Sequence, residues 1–235
     1  MANESASAAR FVTSVLNECR GFRAVSFFAV IDKASTDNTL DLLNSIGVTE
    51  PRLEVVWAPL NRCVADAYVR GYREALARGC DWILEIDSGF SHQPEEIPRF
   101  FEKMEEGYDC VLGSRFMSGG SIRDSSLRRK LISRGGTVLT NFLLGTTLTD
   151  MTSGFELFSR DALVEVLKRG IQSRGPFFQT EIKSHCSKMK IAEVPITYRN
   201  ATAIIGRREL RESLLILWKL YRESKVERVV CNSLP

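Results

Sequence analysis

Several features are absent from this sequence of 235 residues, and each absence narrows the class of protein. The six cysteines form no C-x-x-C pair, and no histidine lies at zinc-ligand spacing, which argues against a disulfide framework or a zinc site and favours a reducing compartment. Residues 1–10 lack the apolar stretch of a secretory signal, and no apolar run reaches the length of a membrane span. A net charge of +3 is too small to indicate a nucleic-acid partner. We therefore expect a cytoplasmic protein, soluble or at most peripheral to a membrane.

The composition that remains is that of a globular domain. Hydrophobic residues make up 44% of the chain and charged residues 26%, and there is neither an internal repeat nor a low-complexity linker. The length suffices for one α/β domain with a sizeable core and is short for two. We expect residues 1–235 to form a single domain.

Short apolar runs alternate with helical patterns along the chain. The patterns predict strands at 24–31, 53–57, 82–86, 109–112 and 190–198. They predict helices from 39 onward and at 64–78, 96–105, 128–144, 161–167 and 210–223. Such alternation is typical of a mostly parallel sheet with helices on both faces, in which ligands bind beyond the carboxyl ends of the strands.

Three polar residues come at or shortly after the ends of predicted strands. These are Asp32, Asp87 and Arg115, and the rule just stated brings them to one edge of the sheet. An aspartate at the end of a strand can also simply cap the next helix, and the two interpretations stand level on these residues alone. No G-x-G-x-x-G follows the first strand, which disfavours a dinucleotide-binding oxidoreductase.

Basic residues form two clusters in the second half. One contains Arg123, Arg128, Arg129, Lys130 and Arg134, and the other contains Arg199, Arg207, Arg208 and Arg211. A cluster of this kind is usually a solvated face, and phosphate binding is the functional alternative. The apolar stripe of the last helix, which includes Trp218, most often packs on the protein's own core, and contact with a membrane surface is the minority interpretation.

Seven segments together resemble one known family. They are, in order, Val30–Thr39, Asn61–Gly71, Ile86–Pro98, Gly113–Arg115, Ser133–Gly135, Asp150–Phe155 and Glu193–Ile196. Their sequences resemble those of family 2 glycosyltransferases with the GT-A fold, and in particular the dolichol- and polyprenol-phosphate mannosyltransferases. The resemblance runs from about residue 3 to residue 218. It implies a Rossmann-like, mostly parallel sheet flanked by helices.

The resemblance also implies a reaction. A hexose, mannose or glucose, would pass from a GDP- or UDP-sugar to a polyprenyl phosphate at a membrane surface, with inversion. Residues 1–115 would bind the nucleotide sugar, and residues 116–235, with the terminal amphipathic helix, would bind the acceptor. The nucleotide leaves as an anion, which a divalent cation or positive side chains must neutralise. Mg²⁺ or Mn²⁺ is therefore the expected cofactor.

Residue roles follow from the resemblance position by position. The catalytic residues would be Asp87 and Arg115. Donor binding would fall to Asn3, Glu4, Asp32, Asn61, Asp87 and Ser88, and metal binding to Asp87 and Ser91. The acceptor would contact Arg115, Ser133, Arg134, Arg199 and Arg208, the last of these in a loop within a segment, 199–208, that closes over the diphosphate. The sugar pocket would contain Asp150, Thr152, Ser153, Gln179 and Glu181.

The chain departs from the family pattern at two places. Gly89 stands where a second aspartate is usual, and it offers no side-chain ligand. The apolar strand that normally precedes the motif around Asn3 and Glu4 is absent, so either the sequence begins late or another segment fills its place. Two alternatives to the reaction therefore stay open. The acceptor is a soluble glycan, or the protein is an inactive homologue that binds nucleotide sugars or a partner.

Overall fold

The computed structural model describes residues 1–199 and 206–232. In chain order the elements are α1 (Ala8–Glu18), β1 (Phe27–Ile31), α2 (Thr39–Thr49), β2 (Leu53–Trp57), α3 (Val64–Ala77), β3 (Trp82–Glu85), a 3₁₀ turn (Pro94–Glu96), α4 (Ile97–Glu105), β4 (Cys110–Ser114), β5 (Ser121–Ile122), α5 (Leu127–Leu144), β6 (Glu156–Ser159), α6 (Arg160–Arg169), α7 (Phe178–His185), β7 (Ile191–Pro195), β8 (Thr197–Tyr198) and α8 (Arg207–Asn232). This is the α/β class that the sequence predicts.

The strands of the described residues form three sheets. β1 pairs with β2 in parallel, and a four-stranded sheet has the order β3-β6-β4-β7. Within that sheet β4 and β7 are parallel, whereas β6 runs antiparallel to both β3 and β4. The short strands β5 and β8 pair in parallel. The prediction of a mostly parallel sheet is thus confirmed, with β6 as the strand that departs from it.

A gap separates β1 from β3. Among the described residues, no strand pairs with the second edge of β1 or with the second edge of β3. Helix α3 contacts both strands from one side, and α1 packs across the other side. Within the described residues, the sheet is therefore interrupted between β1 and β3.

Several predicted boundaries are wrong. The strand at 24–31 is reduced to Phe27–Ile31, and the late strand at 190–198 is divided into β7 and β8. The sequence patterns predicted neither α1 nor β6. Helix α1 buries Ala8, Phe11 and Val15 along one face. It was missed because residues 2–9, which lead into it, are mainly small. The predicted loop at 206–208 is also wrong, because Arg207 and Arg208 begin α8.

The core is continuous with the site. Phe155 packs against Phe100 in a tilted arrangement with ring centroids 4.3 Å apart, and Phe11 meets Phe90 edge to face at 5.4 Å. Burial of such side chains contributes about 1.5–3 kcal/mol each. Their packing fixes the loop between β3 and α4, which carries Asp87. In the part of the chain that the structure describes, no helix has both the length and the apolar character required to cross a bilayer.

Candidate donor and acceptor site

The loop after β1 is built around Asp32. Its Oδ1 accepts a hydrogen bond from the Ala34 N–H at 2.9 Å, a local turn that aspartate favours, and its Oδ2 faces the Asn61 amide at 3.4 Å. From the other side, Asn3 donates to the Ala34 carbonyl at 3.1 Å and accepts from the Thr36 N–H at 2.9 Å. Three predicted donor-binding residues, Asn3, Asp32 and Asn61, therefore lie around one loop at the carboxyl end of a strand.

Asp87 follows β3 and is oriented by two neighbours. The Tyr68 hydroxyl donates to its Oδ1, and burial raises the pKa of Tyr68 well above its usual range, so the hydroxyl keeps its proton. The Asp87 N–H donates to Nδ1 of His92 at 3.2 Å. Burial lowers the pKa of His92 to about 4, and its ring stacks on Phe155. His92 is therefore a neutral ring that holds the Asp87 backbone, although its Nδ1 lies 3.9 Å from the carboxylate.

The position of Gly89 is filled by another residue's carboxylate. Gly89 has a φ of +75°, and a Cβ built on it would lie 2.6 Å from Oε1 and 2.8 Å from Oε2 of Glu4. Glu4 is held there by its N–H, which donates to the Thr39 hydroxyl at 2.8 Å, and by the Ser88 hydroxyl, which donates to Oε1 at 3.4 Å. A carboxylate thus occupies the space where the family pattern leads us to expect one, but it comes from the amino-terminal segment.

The acidic groups fit a metal that binds together with substrate. Within the described residues, no group of three or more His, Cys, Asp and Glu side chains could hold a metal. Asp87 nevertheless precedes Ser88 in the chain, and Glu4 accepts from the Ser88 hydroxyl, so two carboxylates border this residue. Mg²⁺ commonly takes one or two carboxylates and completes its shell with phosphate oxygens and water. Ser91 is half-buried, and its carbonyl accepts from the Arg199 N–H at 2.9 Å.

Arg115, after β4, is paired within the protein. Its Nε donates to Asp150 Oδ2 at 2.6 Å and its Nη2 donates to Oδ1 at 2.8 Å, a bidentate geometry, while Nη2 also donates to Thr152 Oγ1 at 2.5 Å. Burial acts to raise the pKa of Asp150, but the Arg115 guanidinium outweighs it and holds the pKa at about 2. The Arg115 side chain is only 4% exposed, so its first role is to hold the Asp150 loop. Its contact with acceptor stays a prediction.

Behind this pair lies a buried charge network whose members Lys183, Glu156 and Glu85 were not predicted from the sequence. Lys183 donates to the Asp150 carbonyl at 2.8 Å and to Ser153 Oγ at 3.2 Å, and its Nζ lies 3.4 Å from Glu156 Oε1. Glu156 stands directly opposite Glu85 in the β3–β6 register. Burial raises the pKa of Glu156 to about 7, although the Lys183 charge acts in the opposite direction. Burial is also the main cause that raises the pKa of Glu85, and the nearby Glu156 is the second cause. The sequence signal that could have revealed this network is a charged residue within an otherwise apolar segment.

One aromatic ring joins the strand-end site to the basic helix α5. The guanidinium carbon of Arg115 lies 5.3 Å from the centroid of the Phe116 ring, and that of Arg134 lies 5.8 Å from it. Ser133 is buried on the inner side of the same helix. Arg134 also borders an open groove of about 560 Å³, which we call the α5 groove. The groove is lined by Leu131, Arg134, Gly135, Val138, Leu139 and Phe142.

The two remaining sugar-pocket candidates are engaged within the protein. Gln179 donates to Glu85, and Glu181 is fully buried, where its two oxygens accept from the N–H groups of Gln172 at 2.9 Å and Ser173 at 2.8 Å. Glu181 therefore holds the turn before α7. The assignment of both residues to a sugar pocket stays a prediction.

The candidates at the end of the chain are described only in part. Arg199 is exposed beside Ser91, and Arg208 is exposed in the first turn of α8. The segment predicted to close over the diphosphate has its centre, residues 200–205, outside the described residues.

Comparison with known proteins agrees with this architecture. A crystal structure of glucosyl-3-phosphoglycerate synthase from Mycobacterium tuberculosis in complex with Mn²⁺, uridine diphosphate and phosphoglyceric acid is similar with a TM-score of 0.65 at 18% identity, over 94% of this chain and 76% of that one. The chain therefore has the GT-A glycosyltransferase fold.

A family model, Glycosyl transferase family 2, matches residues 1–167, and the chain belongs to this family. An undecaprenyl-phosphate mannosyltransferase of Micrococcus luteus is 34% identical over 171 residues, which are 72% of this chain and 70% of the relative. A polyprenol monophosphomannose synthase of Mycolicibacterium smegmatis is 30% identical over 172 residues, 72% of this chain and 65% of the relative. The chain thus spans slightly less than two thirds of this second relative.

Proposed function

We propose that this glycosyltransferase moves a hexose, mannose or glucose, from a GDP- or UDP-sugar to the phosphate of a polyprenyl phosphate. A phosphate oxygen of the acceptor attacks the anomeric carbon, the bond from that carbon to the diphosphate breaks, and the nucleoside diphosphate leaves with both electrons, so the configuration inverts. An acceptor phosphate is already ionised at neutral pH. It needs no strong base, which agrees with the neutral, buried state of His92.

The donor half of the proposal rests on the two strand-end loops. The loop around Asp32, with Asn3 and Asn61, would hold the nucleoside. Asp87 and Glu4 would orient the diphosphate end. A bound Mg²⁺ or Mn²⁺ would neutralise the leaving diphosphate. Tyr68 and His92 would keep the Asp87 carboxylate in place through its side chain and its backbone.

The observation that carries the acceptor half is the link from Arg115 through Phe116 to Arg134 and the α5 groove. A polyprenyl phosphate combines an anionic head with a long apolar tail. Arg134 offers a guanidinium that can pair with phosphate, and the groove beside it exposes apolar side chains that suit a hydrocarbon tail. Leu131 is 72% exposed and Phe142 is 83% exposed. This favours the lipid acceptor.

Helix α5, together with α8, also indicates where the protein would bind its acceptor. Exposed apolar side chains lie on α5 and on α8, where Leu215 is 72% and Trp218 is 57% exposed, and Arg128 adds positive charge on α5. Apolar side chains with adjacent basic residues are typical of a surface that rests on anionic lipid. We infer peripheral binding to the membrane through these two helices.

The test is transfer of radiolabelled sugar from GDP-mannose and UDP-glucose to a short-chain polyprenyl phosphate, with the unphosphorylated polyprenol and an oligosaccharide as competing acceptors. Arg134→Ala is expected to raise the acceptor KM by about tenfold or more, the loss of one charge-assisted contact, while the donor KM is unchanged. Arg73→Ala, an exposed arginine on α3 that does not line the groove and lies on neither of these two helices, is the matched control. Transfer to the oligosaccharide alone would overturn the lipid acceptor, and no transfer to any acceptor would favour the inactive, binding homologue.

A further inference from the structure

Tyr198 ends the short strand β8 at the boundary between the proposed donor and acceptor residues. Its ring meets the His92 ring edge to face, with centroids 5.1 Å apart, and His92 accepts from the Asp87 backbone. The guanidinium carbon of Arg115 lies 5.7 Å from the centroid of the Tyr198 ring. The ring therefore contacts one group on the donor side of the site and one on the acceptor side.

The backbone around this tyrosine is fixed by its neighbours. The Thr197 N–H donates to both carboxylate oxygens of Glu96, at 3.0 and 2.9 Å. The Tyr198 carbonyl accepts from the Arg123 N–H at 2.8 Å, which continues the pairing of β5 with β8. Because the backbone is fixed and the ring packs against His92, the side chain is oriented before any substrate binds, which lowers the entropic cost of a contact.

The charges around the Tyr198 hydroxyl come from both halves of the site. Burial raises its pKa and the Asp87 carboxylate raises it further, whereas the guanidinium groups of Arg129 and Arg115 act in the opposite direction. Burial is also the main cause that raises the pKa of Tyr68, which donates to Asp87, and Tyr198 is one of the smaller causes. The hydroxyl therefore lies within reach of both the donor-side carboxylate and the acceptor-side arginines.

The Tyr198 hydroxyl has a proton to donate. A phenol is neutral at neutral pH, and burial, which raises its pKa, keeps this one so. Within the described residues, the side chain that hydrogen-bonds to it is Ser91, and this bond lowers the pKa, as a hydrogen bond donated to the phenol oxygen does. Because tyrosine can accept one hydrogen bond and donate another, the phenolic proton is left for a further acceptor.

A phosphoryl oxygen is the acceptor that fits these surroundings. The basic helix α5 supplies positive charge on one side through Arg129, which favours an anionic group. A hydrogen bond to an ionised oxygen is shorter and roughly twice as strong as a bond between neutral groups. In the proposed reaction, the anions that meet between the Asp87 loop and α5 are the diphosphate of the donor and the phosphate of the acceptor.

We propose that Tyr198 contacts substrate directly and that its hydroxyl donates a hydrogen bond to a phosphoryl oxygen between the Asp87 loop and helix α5. This inference rests on the proposed function, because that function brings a phosphate group from each substrate to this place. The oxygen belongs to the nucleoside diphosphate or to the acceptor phosphate, and titration of each ligand alone distinguishes the two.

The test is calorimetric titration of the full chain with GDP and Mg²⁺, with UDP and Mg²⁺, and with a short-chain polyprenyl phosphate, each ligand taken alone. Tyr198→Phe removes the hydroxyl and keeps the ring. Tyr108→Phe, which alters a half-buried tyrosine just before the amino-terminal end of β4, is the matched control. We expect Tyr198→Phe to weaken at least one ligand by about tenfold and Tyr108→Phe to weaken none. Both variants should unfold within about 4 °C of the wild type.

A weaker affinity of Tyr198→Phe for the nucleoside diphosphate alone assigns the contact to the leaving group, and a weaker affinity for the polyprenyl phosphate alone assigns it to the acceptor. Equal affinities of the wild type and Tyr198→Phe for every ligand that the wild type binds would overturn the proposal, as would equal weakening by Tyr108→Phe. If Tyr198→Phe weakens binding but the wild type transfers no sugar to polyprenyl phosphate, the proposed function fails and this contact stands. Binding of none of the three ligands by the wild type would overturn both.

Discussion

Restoring the aspartate that the family pattern places at position 89 is expected to harm this chain. The φ of +75° at Gly89 lies in the left-handed region, which costs a non-glycine residue about 1 kcal/mol or more. The new Cβ would also lie 2.6 Å from Glu4 Oε1, so the Glu4 side chain must move. Two carboxylates about 4 Å apart near a protein surface repel by roughly 1–4 kcal/mol. We expect Gly89→Asp to lower the free energy of unfolding by about 3 kcal/mol.

The measurement is urea unfolding of a double-mutant cycle. Gly89→Asn keeps the shape without the charge, and asparagine tolerates positive φ well, so it should cost about 1 kcal/mol. Glu4→Gln combined with Gly89→Asp should recover most of the difference between the Asp and Asn variants, a coupling of about 1–2 kcal/mol. If Gly89→Asp is as stable as the wild type, or if Glu4→Gln makes no difference to it, then Glu4 does not occupy this space.

Two further predictions concern the buried charges, both measured by urea unfolding. Arg115→Ala leaves the Asp150 carboxylate buried without its partner and should lower the free energy of unfolding by about 3–5 kcal/mol. Arg115→Met combined with Asp150→Asn should lower it by less, because no charge is left unpaired. A loss below about 1 kcal/mol for Arg115→Ala would contradict the buried pair. Burial raises the pKa of Glu156 from 4.5 to about 7, so its contribution to stability is present below pH 4.5 and is lost as the pH rises through 7. Relative to Glu156→Gln, the wild type should therefore lose stability across this range in metal-free buffer, and parallel curves would contradict the assignment.

The sequence predicted the parts of the fold where one rule dominates. Asp32 and Asp87 were placed correctly at strand ends, because short apolar runs closed by a polar residue mark the carboxyl edge of an α/β sheet. Helix α5 was predicted nearly to its ends, Leu127 and Leu144, because its pattern is long and its end is marked by Gly145 in the left-handed region.

What the sequence could not predict depends on contacts between distant segments. The carboxylate of Glu4 beside Gly89 joins positions 85 residues apart, and no local pattern records it. In the sequence Lys183 is one polar residue of a short helix, yet its side chain is fully buried. Its ammonium group contacts the Asp150 carbonyl, the Ser153 hydroxyl and the Glu156 carboxylate. Strand β6 was missed because its glutamate interrupts an apolar run, and only the opposing lysine makes that residue tolerable inside a sheet.

The break in the sheet also affects the dimensions of the site. In most α/β proteins, hydrogen-bonded ladders fix the distance between neighbouring strand ends at about 4.8 Å per step. Here, within the described residues, no ladder connects the strand that bears Asp32 to the strand that bears Asp87. Glu4 connects the two sides instead. Its N–H donates to the Thr39 hydroxyl after β1, and its carboxylate accepts from the Ser88 hydroxyl after β3. Among these residues, helix packing and the contacts of Glu4 therefore set the distance between Asp32 and Asp87.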